Sequence, residues 1–290
     1  MNYATWDRDQ IAGLLLDAGR TAMQYFSDPT ISIKSDKSIV TEADTAIERR
    51  LEELFDHPDA GVYLLGEETF ETHDADYFTR ALAGTTWIVD PIDGTSSFAF
   101  GLPSWGVSIA YARDGVIREG GIFLPVTGDL MITDGGRVYA QKLGHDSAGW
   151  KADALRPFSR PEMDPKRIGL VSVSQEVAKK GRYIGPQSVH ANGSCVFSAV
   201  YLALGSFIGY IASVKLWDIA AAIAIFDALG FTMKFGPDQR VGPEITADNY
   251  LMNNDGGMHW KMAGHLFIAD SEPLCDYLIK QVEPPLPARG

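Results

Sequence analysis

Hydrophobic and polar positions follow two periods along this chain, and the switches between them lay out its elements. From Asp7 to Phe26, the residues Ile11, Leu14, Leu15, Ala18, Ala22 and Tyr25 recur at three- and four-residue steps, which predicts a helix. Asp28-Pro29 ends it, because the residue before a proline is pushed out of the helical region. Ile31 to Lys34 alternates as a short strand, and Ser35 to Ser38 is polar and loop-like. Thr41 caps a second amphipathic helix with Ala43, Ile47, Leu51, Leu54 and Phe55 on one face. Two short apolar runs follow, Val62 to Leu65 and Thr86 to Val89, each of buried-strand length. The first ends in Gly66-Glu67-Glu68 and the second in Asp90-Pro91-Ile92-Asp93-Gly94. Pro91 has no amide to give a ladder, so the second strand is expected to stop at Asp90, with Asp93 on the turn beyond. Thr95 then caps a short helix through Phe98.

Further on, Ser104 to Ala112 and Val116 to Leu124 flank Asp114-Gly115, a hairpin signal. Leu130 to Thr133 and Arg137 to Gln141, joined by Asp134-Gly135-Gly136, extend that antiparallel set. Gly144 to Pro165 is polar and carries prolines, which marks the boundary between two approximate halves, 1–143 and 166–290, of a single unit spanning 1–290. Strands are expected from Ile168 to Val173, Phe207 to Ile211 and His265 to Ala269. Helices are expected from Ser194 to Leu204, from Ile219 to Leu229 behind Trp217-Asp218, and from Ser271 to Val282. Pro237 to Gly257 reads as turn-rich, and the tail from Pro284 as frayed. Helices and strands in mixed order, with hairpins in the middle, imply a layered α/β or α+β architecture.

Charge changes this picture more than composition does. At 46% hydrophobic and 22% charged, the 290 residues can bury a sizeable core. The net charge of -13 argues against nucleic acid and anionic membranes as partners, and it repels phosphate esters unless bound cations reverse the local sign. Cys195 and Cys275 lie in apolar contexts and read as small buried thiols. The N-terminus has no basic segment followed by an apolar run, and no apolar stretch reaches membrane-spanning length, so the cytoplasm is expected.

Glu67, Asp90, Asp93 and Asp218 each fall at a strand end or a helix start. Taken singly they have ordinary explanations: Asp90 and Asp93 as a solvated turn, Asp218 as an N-cap, and Asp44 as a charge favoured by the first turn of its helix. If the first four converge, they make an all-oxygen site suited to Mg2+ rather than zinc. The six histidines show no zinc-ligand spacing, and neither G-x-x-x-x-G-K-[ST] nor G-x-S-x-G occurs. The amides of Gly94 and Thr95, at a helix start, suit phosphate oxygens. Metal with phosphate is the chemistry proposed by the Asp90 stretch.

Gly66-Glu67-Glu68, Trp87 to Phe98 and Trp217-Asp218-x-Ala220-Ala221 resemble three signatures of the inositol monophosphatase family. Val40-Thr41-Glu42-Ala43-Asp44 resembles its V-T-x-x-D segment, and the similarity runs in order over roughly residues 6 to 283. The resemblance implies a five-layer αβαβα sandwich, a homodimer, and hydrolysis of a small phosphorylated metabolite with two or three Mg2+ per site. It implies one metal on Glu67, Asp90 and the carbonyl of Ile92, and a second on Asp90, Asp93 and Asp218. Glu67 and Thr95 would position the attacking water, with Asp44 supporting the Thr95 hydroxyl. Substrate contacts would come from Asp93, Gly94, Thr95 and Asp218, from the Gly193-Ser194 pair, and from Lys34, which stands near the family's upstream lysine. Alternatives are a histidinol-phosphate or fructose-1,6-bisphosphate phosphatase, and a non-enzymatic binding protein of the same fold. The chain departs from the family pattern before Trp217. Tyr210-Ile211-Ala212-Ser213 has no carboxylate where inositol-preferring members carry one, and one residue fewer precedes Trp217. That departure implies a tolerant or non-inositol specificity. Asp227-Ala228-Leu229-Gly230 stands where the family tends to E-A-G-G.

Overall fold

Two large sheets separated and flanked by helices, with three two-stranded pairs beside them, make up the described part of the chain, and the computed structural model describes residues 4–34, 38–144, 146–162, 169–252 and 260–283. Helix α1 (Arg8–Tyr25) precedes the antiparallel pair β1 (Ile31–Ile33) and β2 (Ile39–Thr41), then helix α2 (Glu42–Phe55), strand β3 (Val62–Gly66), helix α3 (Ala75–Leu82), strand β4 (Thr85–Asp93) and short helix α4 (Thr95–Ala99). Strands β5 (Gly106–Arg113), β6 (Val116–Leu124), β7 (Asp129–Asp134), β8 (Arg137–Lys142) and β9 (Arg156–Phe158) complete a seven-stranded sheet in the order β3-β4-β5-β6-β7-β8-β9. Next come β10 (Leu170–Val173), α5 (Gln175–Lys180), β11 (Arg182–Tyr183), β12 (Ser188–His190), α6 (Cys195–Ala203) and β13 (Phe207–Ala212). The chain closes with α7 (Leu216–Ala228), β14 (Thr232–Lys234), β15 (Tyr250–Leu251), β16 (Lys261–Met262), β17 (Leu266–Ala269), α8 (Glu272–Lys280) and β18 (Val282–Glu283). The second sheet is five-stranded, β12-β10-β13-β17-β14.

The period of two along each strand sorts side chains into different cores. Leu64, Trp87 and Val89 face α1 and α2, where Leu15, Ile47, Leu51 and Phe55 meet them. Their neighbours Leu65 and Ile88 face the other way, toward Val196, Ile219 and Ile223 of α6 and α7. Those two helices also cover Tyr210 and Ile268 of the small sheet. The outer face of that sheet, with Val171, Ile211 and Phe267, closes against Cys275 and Leu278 of α8. The layers are therefore helix, sheet, helix, sheet, helix. Both faces of the central strands are covered, which is why β3 and β4 read as unbroken apolar runs.

Several boundaries differ from the sequence reading. β4 does not stop at Asp90; it runs through Pro91 to Asp93. Its register on β5 shifts there, with Asp90 opposite Ser108 and Asp93 opposite Gly106, so one extra residue is accommodated as a bulge. A proline is tolerated at a bulge because that position donates no ladder bond. The stretch 144–165 is not all linker, because Trp150 is buried in the α1–α2 core and β9 joins the edge of the large sheet. Helix α7 begins at Leu216 and ends at Ala228, and α8 ends at Lys280, after which Val282–Glu283 pairs with Arg182–Tyr183. Within the turn-rich 237–257 segment, Tyr250–Leu251 pairs with Lys261–Met262. Expectations for residues 35–37, Ile168, 253–257 and the tail from Pro284 lie outside the described residues.

Candidate active site

β3 and β4 run parallel and side by side, so the acids that follow Leu65 and Val89 emerge at the same end of the sheet. In an unbroken strand Asp90 and Asp93, three apart, would point to opposite faces. The bulge at Pro91-Ile92 restores them to one face, since their partners Ser108 and Gly106 are two apart. Asp218 arrives from the start of α7. One carboxylate oxygen from each of Glu67, Asp90 and Asp218 lies within 4.8 Å of the others.

Asp218 is not the N-cap of its helix. It is the third residue, and its Oδ2 accepts the amide of Lys215 at 2.8 Å. Asp44 does the same at the start of α2, where its Oδ2 accepts the Thr41 amide at 2.8 Å. The Asp44 Oδ1 faces the Thr95 hydroxyl at 3.3 Å, and that hydroxyl also lies 3.0 Å from the carbonyl of Ile92. Thr95 itself is the first residue of α4 rather than its cap; Gly94 caps it at φ 89°. A side chain at Gly94 would be strained and would meet the backbone carbonyl of Ser104 at 2.9 Å.

Asp93 does not belong to the 4.8 Å group. Its Oδ2 accepts the hydroxyl of Ser194, the N-cap of α6, and the amide of Val196 at 2.8 Å. The Gly193-Ser194 turn is tied to α4, because the carbonyl of Asn192 accepts the hydroxyls of Ser97 and Ser104 at 3.0 Å each. Lys34 reaches the arm beyond β3, with its Nζ 2.6 Å from Glu68 Oε1 and 3.4 Å from Glu67 Oε1. Asp93 is thus tied to the Ser194 turn, and Lys34 to Glu67 of the three-carboxylate group.

Electrostatics mark the region as poor in positive charge. Burial, followed by the charges of Glu67, Asp93 and Asp218, holds the Asp90 carboxyl well above the usual carboxylate range. Burial and then the Asp218 charge do the same for Asp93. Asp218 is pushed up to about 7 by burial and by Glu67, against the opposing bond from the Lys215 amide. Asp44 is raised to about 7, chiefly by burial. Burial works to lower the Lys34 ammonium, but Glu67 and Glu68 overcome it and raise it. Asp90 Oδ1 accepts the Ile92 amide at 3.1 Å, whereas its buried Oδ2 has no hydrogen-bond partner among the described residues. A buried carboxylate oxygen with no donor, facing two further carboxylates, is costly unless a cation satisfies it. The donor set is all oxygen, which fits a hard divalent ion such as Mg2+.

Residues that the sequence reading passed over complete the setting. Glu48, buried one turn after Asp44, accepts the amides of Glu68 at 2.9 Å and Thr69 at 2.7 Å, and the Thr69 hydroxyl at 2.8 Å. It fixes the arm that carries Glu67, and Gly66 is what admits it, since a Cβ there would sit 2.2 Å from Glu48 Oε1. An acid interrupting the apolar stripe between Ile47 and Leu51 was its signal. Lys215 lies with its Nζ 5.2 Å from the Trp217 ring centroid, and its charge opposes the rise at Glu68 and Asp218. Nothing in its spacing distinguished it.

The chain resembles known proteins over most of its length. It is 25% identical over 269 residues to the Nus factor SuhB of Pasteurella multocida, covering 89% of this chain and 87% of that protein. It is 29% identical over 244 residues to a histidinol-phosphatase of Mycobacterium tuberculosis, covering 79% and 86%. An IMPase/NADP phosphatase solved with Mg2+ and phosphate shares the fold with a TM-score of 0.66 at 17% identity, covering 93% of each chain. The inositol monophosphatase family description matches residues 8–270, through the Asp44, Glu67, Asp90–Asp93 and Asp218 segments alike, and the chain belongs to that family.

Proposed function

We propose that this protein is a Mg2+-dependent phosphatase of small phosphate monoesters. The observation that carries the reading is the Asp90 carboxylate, whose buried Oδ2 has no donor among the described residues and which groups with Glu67 and Asp218 within 4.8 Å. Glu67, Asp90 and Asp218 would hold the ion, with the carbonyl of Ile92 and the outer oxygen of Asp93 beside them. Bound there, Mg2+ lowers the pKa of a water and neutralises charge on the phosphate.

The chain's own groups supply orientation. Thr95 has one hydroxyl proton, and both acceptors near it, Asp44 Oδ1 and the Ile92 carbonyl, belong to the protein. Giving that proton inward turns a lone pair of Oγ1 outward, where it accepts from a water and aims its oxygen at phosphorus. Asp44 is thus a positioning residue. The amides of Gly94 and Thr95, at the start of α4, would hold phosphate oxygens, and Lys34 adds a fixed positive charge beside Glu67. Little covalent work is left, since phosphoryl transfer is mainly positioning and charge neutralisation. Several of the relatives are named for inositol monophosphate, histidinol phosphate or fructose 1,6-bisphosphate, which supports the phosphomonoesterase class, while one is named as a Nus factor.

The test is phosphate release from a panel of small esters, with Mg2+ and with excess chelator. Activity that requires Mg2+ is expected. Full activity in chelator overturns the reading, and so does a metal-loaded, folded protein that releases phosphate from no ester.

A further inference from the structure

The sequence places no carboxylate before Trp217, yet the fold brings one there from another helix. Ser213 lies on the segment that joins β13 to α7, and its hydroxyl donates to Glu176 Oε2 at 2.9 Å. Glu176 is the second residue of α5, which follows β10. β10 and β13 are parallel neighbours, so the starts of α5 and α7 lie at the same end of the small sheet, where ligands of open α/β sheets bind. Ser174 Oγ accepts the Ser213 amide at 3.1 Å and holds the two starts together. On its other side, α5 touches the Gly193 turn, with Gln175 Nε2 3.4 Å from the carbonyl of Ala191. Glu176 therefore stands between the segment that leads to Asp218 and the turn that bonds Asp93 through Ser194.

Glu176 is also paired. Lys261 on β16 donates to its Oε2, and Lys180 to its Oε1 at 3.3 Å. The Lys261 and Glu176 side chains are only 16% and 15% exposed, so this pair is largely withdrawn from water. β16 crosses the approach to α7, with the Met262 amide on the carbonyl of Val214 at 2.9 Å and the Leu216 amide on the carbonyl of Trp260 at 2.8 Å. A carboxylate and an ammonium fixed side by side offer an acceptor and donors to hydroxyls. An apolar alcohol could bond to neither ion.

We propose that Glu176, with Lys261, is the specificity-determining wall for the alcohol portion of the phosphate ester, favouring alcohols with hydroxyls near the phosphate. This rests on the phosphomonoesterase reading. It replaces the tolerant specificity implied by the missing acid at Ala212, because the missing carboxylate is supplied by Glu176.

The test compares inositol 1-phosphate with phenyl phosphate in the Mg2+-loaded full-length protein, for wild type, Glu176→Ala and Lys261→Met. Wild type is expected to prefer the polyol ester. Each variant is expected to lower the ratio of the two kcat/KM values at least tenfold, mainly through the KM of the polyol ester. Equal losses on both esters would show a structural role and overturn the wall, as would a wild type that hydrolyses both esters without preference. Should Glu176→Ala not fold, as judged by its melt, Lys261→Met and Ser213→Ala carry the same ratio test. A wild type that hydrolyses no ester at all overturns the phosphatase reading itself, and the wall with it.

Discussion

The starts of α2 and α7 are built alike and used differently. In each, the third helical residue is an aspartate whose Oδ2 reaches back 2.8 Å to the amide before the helix, and in each burial raises that carboxyl to about 7. What differs is the company of the second oxygen. Asp44 Oδ1 faces a hydroxyl, that of Thr95, whereas Asp218 faces the carboxylates of Glu67 and Asp90. One local motif thus gives a side chain suited to orienting a hydroxyl and another suited to holding a cation. The helix start fixes the aspartate; the neighbouring strands decide its chemistry.

The comparison breaks most visibly in turnover. Asp218→Asn or Asp90→Asn is expected to lower kcat about a thousandfold or more, since several kcal/mol of charge stabilisation are lost. Asp44→Asn is expected to cost about ten- to a hundredfold. Calorimetric titration with Mg2+ should find weakened binding in the first two variants and little change in Asp44→Asn. The reverse order in either measurement would remove the distinction between the two helix starts.

A smaller effect sharpens the Asp44 side. If Asp44 acts through the Thr95 hydroxyl, Thr95→Val should resemble Asp44→Asn, and the double variant should be no worse than the poorer single. Thr95→Ser should keep most of the activity. Fully additive losses in steady-state kinetics would separate the two residues.

The smallest expected effect is on stability, where the two starts should agree. A carboxyl whose folded pKa is raised keeps its proton longer in the folded chain, so its contribution is complete below the unfolded value near 4 and is lost as pH rises toward 7. Asp44, Asp218, Asp90 and Asp93 all shift in that direction. The melting temperature in chelator should therefore fall between pH 5 and pH 8, and saturating Mg2+ at pH 8 should restore it. A melting temperature that climbs with pH in chelator would contradict the burial of these acids.

Much of this was legible because it is local. The apolar runs of β3 and β4, the Asp114-Gly115 hairpin and the capping of α2 by Thr41 follow from spacing alone. The gathering of Glu67, Asp90 and Asp218 was a condition that spacing left open and the family resemblance implied, and Asp93, counted with them, stands outside the group. The misses were contacts between distant segments. Pro91 was read as a stop because a bulge depends on the partner strand, and β5 supplies it. Glu176 went unnoticed because its partner Ser213 lies 37 residues away and is brought near only by the pairing of β10 with β13. Asp218 was read as a cap because a third-position acid and an N-cap look alike until the helix start is fixed at Leu216.

Helix α2 carries one more consequence. Asp44 and Glu48 lie one turn apart on it, the first against the hydroxyl at the start of α4 and the second against the backbone of the arm beyond β3. The helix therefore acts as a single lever under two working parts, and any tilt moves both together. Ile47, Leu51 and Phe55, which seat the lever on the large sheet, are apolar members of the core. They nonetheless set the alignment between them, so the calibration of this site is kept in the hydrophobic core beneath it.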